Sequence, residues 1–329
     1  MRLSVLDLAP VSRTETIAES FAGSVELARA AEQAGYERVW YAEHHNMPTI
    51  GSSATAVLIA HIAAHTSTIR LGAGGIMLPN HSPLIIAEQF GTLATLHPGR
   101  IDLGLGRAPG TDQRTFMALR RDPRSSDRFP QDVLELQAFL AGKSIVEGVQ
   151  AFPGAGTKVP LTILGSSMFG AQLAAHLGLP YAFASHFAPD MLLDAVAEYR
   201  ATFRPSEQSA EPYVIAGFNA TVAPTVAEAD EIQIAVRRSR IRSFLLRGVA
   251  RAESLTDDEL DALTTTPQGR QILSMMRRSV VGTGADAVRA IEEFAAEAGA
   301  DEVMLAFHGR NSAERVRALE LVAGARITV

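Results

Sequence analysis

Val39-Trp40-Tyr41-Ala42-Glu43-His44-His45 is the stretch on which the reading of this chain turns. Val39 through Ala42 is apolar and rich in β-formers and aromatics, which predicts a buried strand. It ends in three adjacent ionisable side chains. A buried strand that delivers a carboxylate and two imidazoles at its C-terminal tip predicts a pocket at that end of a sheet. Neighbouring strand residues point to opposite faces, so His44 and His45 do not both face one interior. That speaks against a metal site, which needs convergent ligands. It favours one imidazole acting as general acid or base near neutral pH. The competing reading, two structural hydrogen-bonding histidines, is weakened by their place at a strand tip.

Outward from this strand the chain alternates strand and helix. Leu3 to Leu8 predicts a first strand, and Thr16 with Glu19 forms a capping box before a helix whose stripe is Ile17, Phe21, Val25 and Ala28. A second, alanine-rich helix runs from Ser53 to Thr66. Ile69 to Leu78 is a third strand, broken by Gly72-Ala73-Gly74-Gly75, and Ser82-Pro83 opens a third helix. Ile101 to Leu105 is a fourth strand, and a long connection follows with a helix from Gln131 to Leu140 and a small hairpin around Ile145 to Phe152. Strands at Leu161 to Leu164, Tyr181 to Ser185, Tyr213 to Val222 and Glu302 to Phe307 complete eight. This rhythm predicts an α/β fold of the (β/α)8 TIM-barrel type, one domain over 1–329, with insertions after strands 4 and 7 at about 108–159 and 224–281. An open doubly wound sheet is the rival. Against it, the first βα turn lacks a glycine fingerprint, and polar residues collect at the strand tips: Glu43-His44-His45, Asn80-His81, Arg107, Ser166-Ser167, Ser185-His186, Asn219 and His308.

Composition removes several function classes. With 30 Lys+Arg against 36 Asp+Glu, no basic surface for nucleic acid is implied. The absence of cysteine excludes disulfides, a thiolate nucleophile and cysteine-ligated metals. No signal-peptide layout and no apolar run of the roughly 20 residues that span a bilayer are present, so a cytoplasmic enzyme is expected.

The remaining motifs each have two readings. Glycines in the third strand admit a bulge or a flat ligand against the backbone, or else make room for a large interior side chain such as Trp40. Gly104-Leu105-Gly106-Arg107 sits within a strand and is not a dinucleotide fingerprint, but Arg107 at the tip suits a phosphate. Gly165-Ser166-Ser167 opens a helix, either as an anion site or as a plain cap. His61 and His65 are four apart without an intervening glutamate, so they form a solvated or interface-facing pair. Arg237, Arg238, Arg240, Arg242, Arg247 and Arg251 crowd the second insertion, either pairing with Asp257-Asp258-Glu259 or forming a lid.

Four blocks in order resemble the bacterial luciferase-like flavin monooxygenase family: Trp40 to His45, Leu71 to Pro79 with Ser82-Pro83, His97 to Arg107, and Gly282-Thr283. The resemblance covers nearly the whole chain and lies with substrate-unassigned oxidoreductases rather than light-emitting subunits. It implies a barrel binding FMN at the strand C-termini. Ala73, Gly74 and Gly75 match the cofactor bulge, where relatives carry a non-proline cis peptide behind the isoalloxazine. Arg107, Gly165, Ser166 and Ser167 match positions near the flavin phosphate, although Ser166 and Gly170 stand where relatives often have an acidic residue and a threonine. His44 matches the family's active-site histidine, with Glu43 beside it as a second catalytic candidate. Pro10, His45, His186 and Phe187 are expected in the substrate pocket. With no reductase domain, the resemblance implies a two-component monooxygenase, in which a separate flavin reductase supplies reduced FMN and O2 then yields a flavin C4a-hydroperoxide. The insertion at 224–281 would shield it from water. A deazaflavin-dependent dehydrogenase and a non-catalytic flavin-binding protein are the alternatives. Relatives also lead us to expect a homodimer through the alanine-rich helix.

Overall fold

The structure, a computed structural model, describes residues 1–108, 112–245 and 254–327. Its first half alternates β1 (Arg2–Asp7), α1 (Ile17–Gln33), β2 (Arg38–Tyr41), α2 (Thr55–Ala63), β3 (Arg70–Met77), α3 (Pro83–Leu96) and β4 (Ile101–Gly106). The first long connection carries α4 (Gln113–Ala118) and α5 (Phe129–Leu140). Next come β5 (Leu161–Gly165), α6 (Met168–Leu177), β6 (Tyr181–Phe183), α7 (Leu192–Thr202) and β7 (Val214–Val222). The second connection holds α8 (Val226–Leu245), α9 (Asp257–Thr264), α10 (Pro267–Ser274) and β8 (Ser279–Gly282). The chain then runs through α11 (Gly284–Ala298), β9 (Glu302–Phe307) and α12 (Ser312–Ile327).

All strand pairings within the sheet are parallel. β1 to β7 follow one another, β7 pairs with β9, and β9 returns to β1, which closes an eight-stranded barrel. The expected TIM barrel is therefore the observed fold. β8 is a ninth strand outside the ring: β7 is long enough to pair with β6 through Val214 to Ala216 and with β8 through Asn219 to Val222. The expected hairpin at Ile145 to Phe152 does not form. Gly148 and Gly156 take positive φ, and Pro153 has no N–H to give a ladder, so this stretch is a series of turns. No described helix is long and apolar enough to cross a membrane.

Local rules explain the helices. The Thr16–Glu19 capping box forms, and Thr256 with Glu259 at α9 and Thr283 with Asp286 at α11 make two more. Ser82 is the α3 N-cap and Pro83 follows it, but the serine hydroxyl makes no capping bond. In α11, Val288, Ile291 and Phe294 are buried on one stripe, each contributing about 1.5–3 kcal/mol.

Inside the barrel the side chains form layers. At the floor, Arg38 reaches Asp102 at 2.8 Å and Glu302 at 3.0 and 3.1 Å. Ser4, Tyr213, Trp40 Nε1 and Arg70 donate to the same two carboxylates. Burial alone would lower the pKa of Arg38; Asp102 and Glu302 outweigh that and raise it. Above the floor, Leu6, Trp40, Ala42, Ala182, Ile215 and Met304 form an apolar layer. Gly72 and Gly74 make room for it: a Cβ would lie 2.8 Å from Trp40 at either position. The packing explanation for these two glycines is thus the observed one. Arg38→Met should cost about 3 kcal/mol or more, because it leaves buried carboxylates short of their cation. Equilibrium urea unfolding at pH 7 measures this, and a loss below about 1 kcal/mol would refute it.

Candidate active site

The alternation that turns Arg38, Trp40 and Ala42 inward carries His44 to the interior side of the β2 tip. There it joins His186, which follows β6, and the two are close enough to interact electrostatically. The His186 ring packs on Gly217 of β7, where a Cβ would collide with it, and edge-on against Phe187 at 5.1 Å. Asn219 ties two further tips together: its Nδ2 donates to the His186 carbonyl at 2.7 Å, and its Oδ1 contacts His308 Nε2 at 2.9 Å. Burial, with Arg240 of α8, His308 and His44 nearby, holds His186 down at about 3. Burial, with Arg240 and Arg315, holds His308 at about 4. Both imidazoles are therefore neutral at pH 7.

Glu43 and His45 go elsewhere. The Glu43 carboxylate is buried between the β2 and β3 tips. Oε1 contacts His45 Nε2 at 2.7 Å and His81 Nε2 at 2.8 Å, and Oε2 accepts the Met77 N–H at 2.9 Å. Its backbone N–H donates to the Gly75 carbonyl at 3.3 Å. Burial raises its pKa, but hydrogen bonds from His45 and His81, the His81 charge and the Met77 N–H outweigh burial and bring it to about 2. Glu43 is thus a fixed anion, tied by backbone and side chain to the far end of β3. The ligand atoms of Glu43, His45 and His81 lie within 4.8 Å of one another, a set able to hold a metal. His44 and His45 do diverge as alternation requires; the convergence comes from His81, beyond β3.

β3 bulges between Ala73 and Ile76, and the Gly74–Gly75 peptide is cis. Ala73 is buried. A Cβ on Gly75 would lie 2.6 Å from the Gly104 carbonyl, so this stretch is bare backbone packed against β4. At the β4 tip Arg107 is exposed, its guanidinium 4.1 Å over the Phe169 ring. No ion pair to it forms among the described residues. Phe169 lies in the first turn of α6, whose N-cap Ser167 makes no side-chain capping bond, and Tyr181 donates to the Ser167 carbonyl. Gly165 and Ser166 lead into this turn. Pro10 bridges to Ile50 at the β1 exit.

The sequence reading thus separates into three groups: His44 with His186 and Phe187, Glu43 with His45, and Arg107 with Gly165, Ser166 and Ser167. It did not single out His81, His308 or Arg240 for a role. His81 and His308 had their strand-tip positions as a signal. Arg240 had a fainter one, since it continues the stripe Ala229, Gln233 and Val236 on α8. Within the second insertion, Arg238 does pair with Asp257 and Asp261, and Arg242 donates to the Leu255 carbonyl. Arg247 and Arg251 lie outside the described residues.

A closed parallel barrel with ionisable groups crowded at the C-terminal strand ends is the architecture of a barrel enzyme. The luciferase-like monooxygenase family model matches residues 1–306, and the chain belongs to that family. It is 46% identical over 303 residues to a luciferase-like monooxygenase of Escherichia coli K12, covering 92% of this chain and 90% of that one. The crystal structure of apo-MsnO8 superposes with a TM-score of 0.88 at 36% identity, covering 100% of this chain and 99% of the other. Two structures at 15% identity share the fold. One is the oxygenating constituent of 3,6-diketocamphane monooxygenase from Pseudomonas putida in complex with FMN, with a TM-score of 0.70 over 98% of this chain and 97% of that one. The other is an F420-dependent secondary alcohol dehydrogenase, with a TM-score of 0.71 over 99% of each.

Glu43→Gln should lower stability by roughly 1–3 kcal/mol at pH 7. The folded pKa lies below the ordinary 4.5, so the Glu43 contribution is present above about pH 4.5 and is lost as pH falls toward 2. The wild-type urea midpoint should therefore fall more steeply between pH 5 and 2.5 than that of the variant. Parallel curves would show that Glu43 carries no such linkage.

Proposed function

We propose that the chain is the oxygenase component of a two-component FMN-dependent monooxygenase. A separate flavin reductase would supply reduced FMN, and O2 would oxygenate a small organic substrate. The observation that carries this reading is the Arg107 guanidinium, which has no carboxylate partner among the described residues and stands beside the uncapped first turn of α6. A cation beside free helix N–H groups fits the flavin phosphate, with Gly165, Ser166 and Ser167 completing the cradle. Ala73, Gly74 and Gly75 present backbone without bulky side chains, which fits the flat ring. Reduced FMN, when bound, supplies the electrons that activate O2.

The protein's own residues do the rest. His44 moves the proton that oxygen transfer requires, from an interior position beside His186. Glu43 holds His45, His81 and the β3 tip in place. Pro10, His186 and Phe187 border the substrate, and α8 to α10 keep water from it. The rival is a deazaflavin-dependent dehydrogenase, favoured by the fold shared with the F420 enzyme. A flavin carrier without turnover is the third reading.

His44→Ala should lower oxygenation by about 10²–10⁴ fold while the FMN dissociation constant changes less than about threefold. The assay follows ¹⁸O incorporation from reduced FMN and ¹⁸O2 by mass spectrometry. Unchanged turnover would remove His44 from the mechanism, and tight binding of a deazaflavin but not of FMN would replace the cofactor.

We further propose a homodimer through α2, where Val57 is 71% exposed and Ala60 and Ala64 allow close helix approach. Light scattering should give about twice the 35.1 kDa chain mass; a monomer mass at all concentrations would sink this.

A further inference from the structure

Arg240 is a half-buried arginine of α8 that pairs with no described carboxylate. Arg238 pairs with Asp257 and Asp261, and Arg242 has the Leu255 carbonyl. Arg240 makes no hydrogen bond or ion pair with any described residue; its Nε is buried without an acceptor, and its one marked contact is the Phe244 ring at 4.7 Å. The groups near it are His186 and His308, both linked to Asn219. None of these carries negative charge. A half-buried cation with neutral neighbours is better satisfied when an anion completes it. The location narrows the source of that anion, because the histidines stand at barrel strand tips, where substrates of this fold react.

We propose that Arg240 anchors a carboxylate on the substrate, its planar fork taking both oxygens beside His186 and His308 at the strand tips. The word substrate rests on the oxygenase reading above; the anion subsite itself does not. The flavin phosphate is the other possible anion, and it already has Arg107 and the α6 turn. A bidentate guanidinium–carboxylate pair in a partly desolvated site distinguishes an acid from its amide by about tenfold or more.

The test uses the full chain without flavin, titrated calorimetrically with benzoate and N-acetylmethionine and with benzamide and N-acetylmethionine amide. Wild type should prefer the acids by roughly tenfold, Arg240→Gln should lose that preference, and Arg240→Lys should keep part of it. FMN affinity, measured separately, should be the same in all three proteins. Acids and amides binding alike, or none of the four binding, would overturn the proposal. So would an FMN affinity that falls about tenfold in Arg240→Gln, since the guanidinium would then serve the phosphate. Should Arg240→Gln fail to fold, Arg240→Lys and the wild-type acid–amide ratio still decide. Failure of the oxygenase reading shows separately, as absent FMN binding or oxygen incorporation with the acid preference intact.

Discussion

The Arg38 guanidinium between Asp102 and Glu302 is the constraint on which the rest of the barrel hangs. These three charges come from β2, β4 and β9 and are buried together, so each strand must present them at the same height and to the same side. Strand side chains alternate with period two, and a slip of one residue in any of them would send its charge into the apolar layer between sheet and helices. Removing buried charges from water is unfavourable in itself, and apolar substitutes could well be more stable. Their effect lies in the register: once Arg38 faces inward, Trp40, Ala42 and His44 follow.

Trp40 then sets the shape of its neighbours. Its ring fills the layer above the floor, and β3 answers with Gly72 and Gly74. The bulge and the bare backbone adjoin that packing, and Glu43 fastens the far side through the Gly75 carbonyl and the Met77 N–H. One strand thus governs both walls of the site: its inward residues clear space in β3, and its next residue ties down the end of the cleared segment.

The barrel was legible because its signal is repetition. Eight apolar runs of the right length, each followed by a helical stripe, outvote any single ambiguous segment. β8 was not legible: four residues inside an arginine-rich insertion become a strand only because β7 outruns β6 and offers an open edge. The turns at Ile145 to Phe152 misled for the opposite reason, since alternating apolar residues there lack a partner strand. At the site, alternation along β2 separated His44 from His45, which the structure bears out. What alternation could not reveal was the arrival of His81 at Glu43 or of Arg240 near His186, because both come from other elements and no local periodicity records a meeting across the fold.

Ile241, Leu260 and Ile272 form an apolar cluster of their own, separate from the barrel core, and the Arg238 pairs with Asp257 and Asp261 join the same helices. The second insertion therefore has contacts of its own beside those that tie α8 to β7. Contacts held by a few side chains can open at a lower free-energy cost than the whole domain. The same separation bears on descent: substitutions confined to the Ile241, Leu260 and Ile272 cluster act first on the insertion, with the barrel core left as it is.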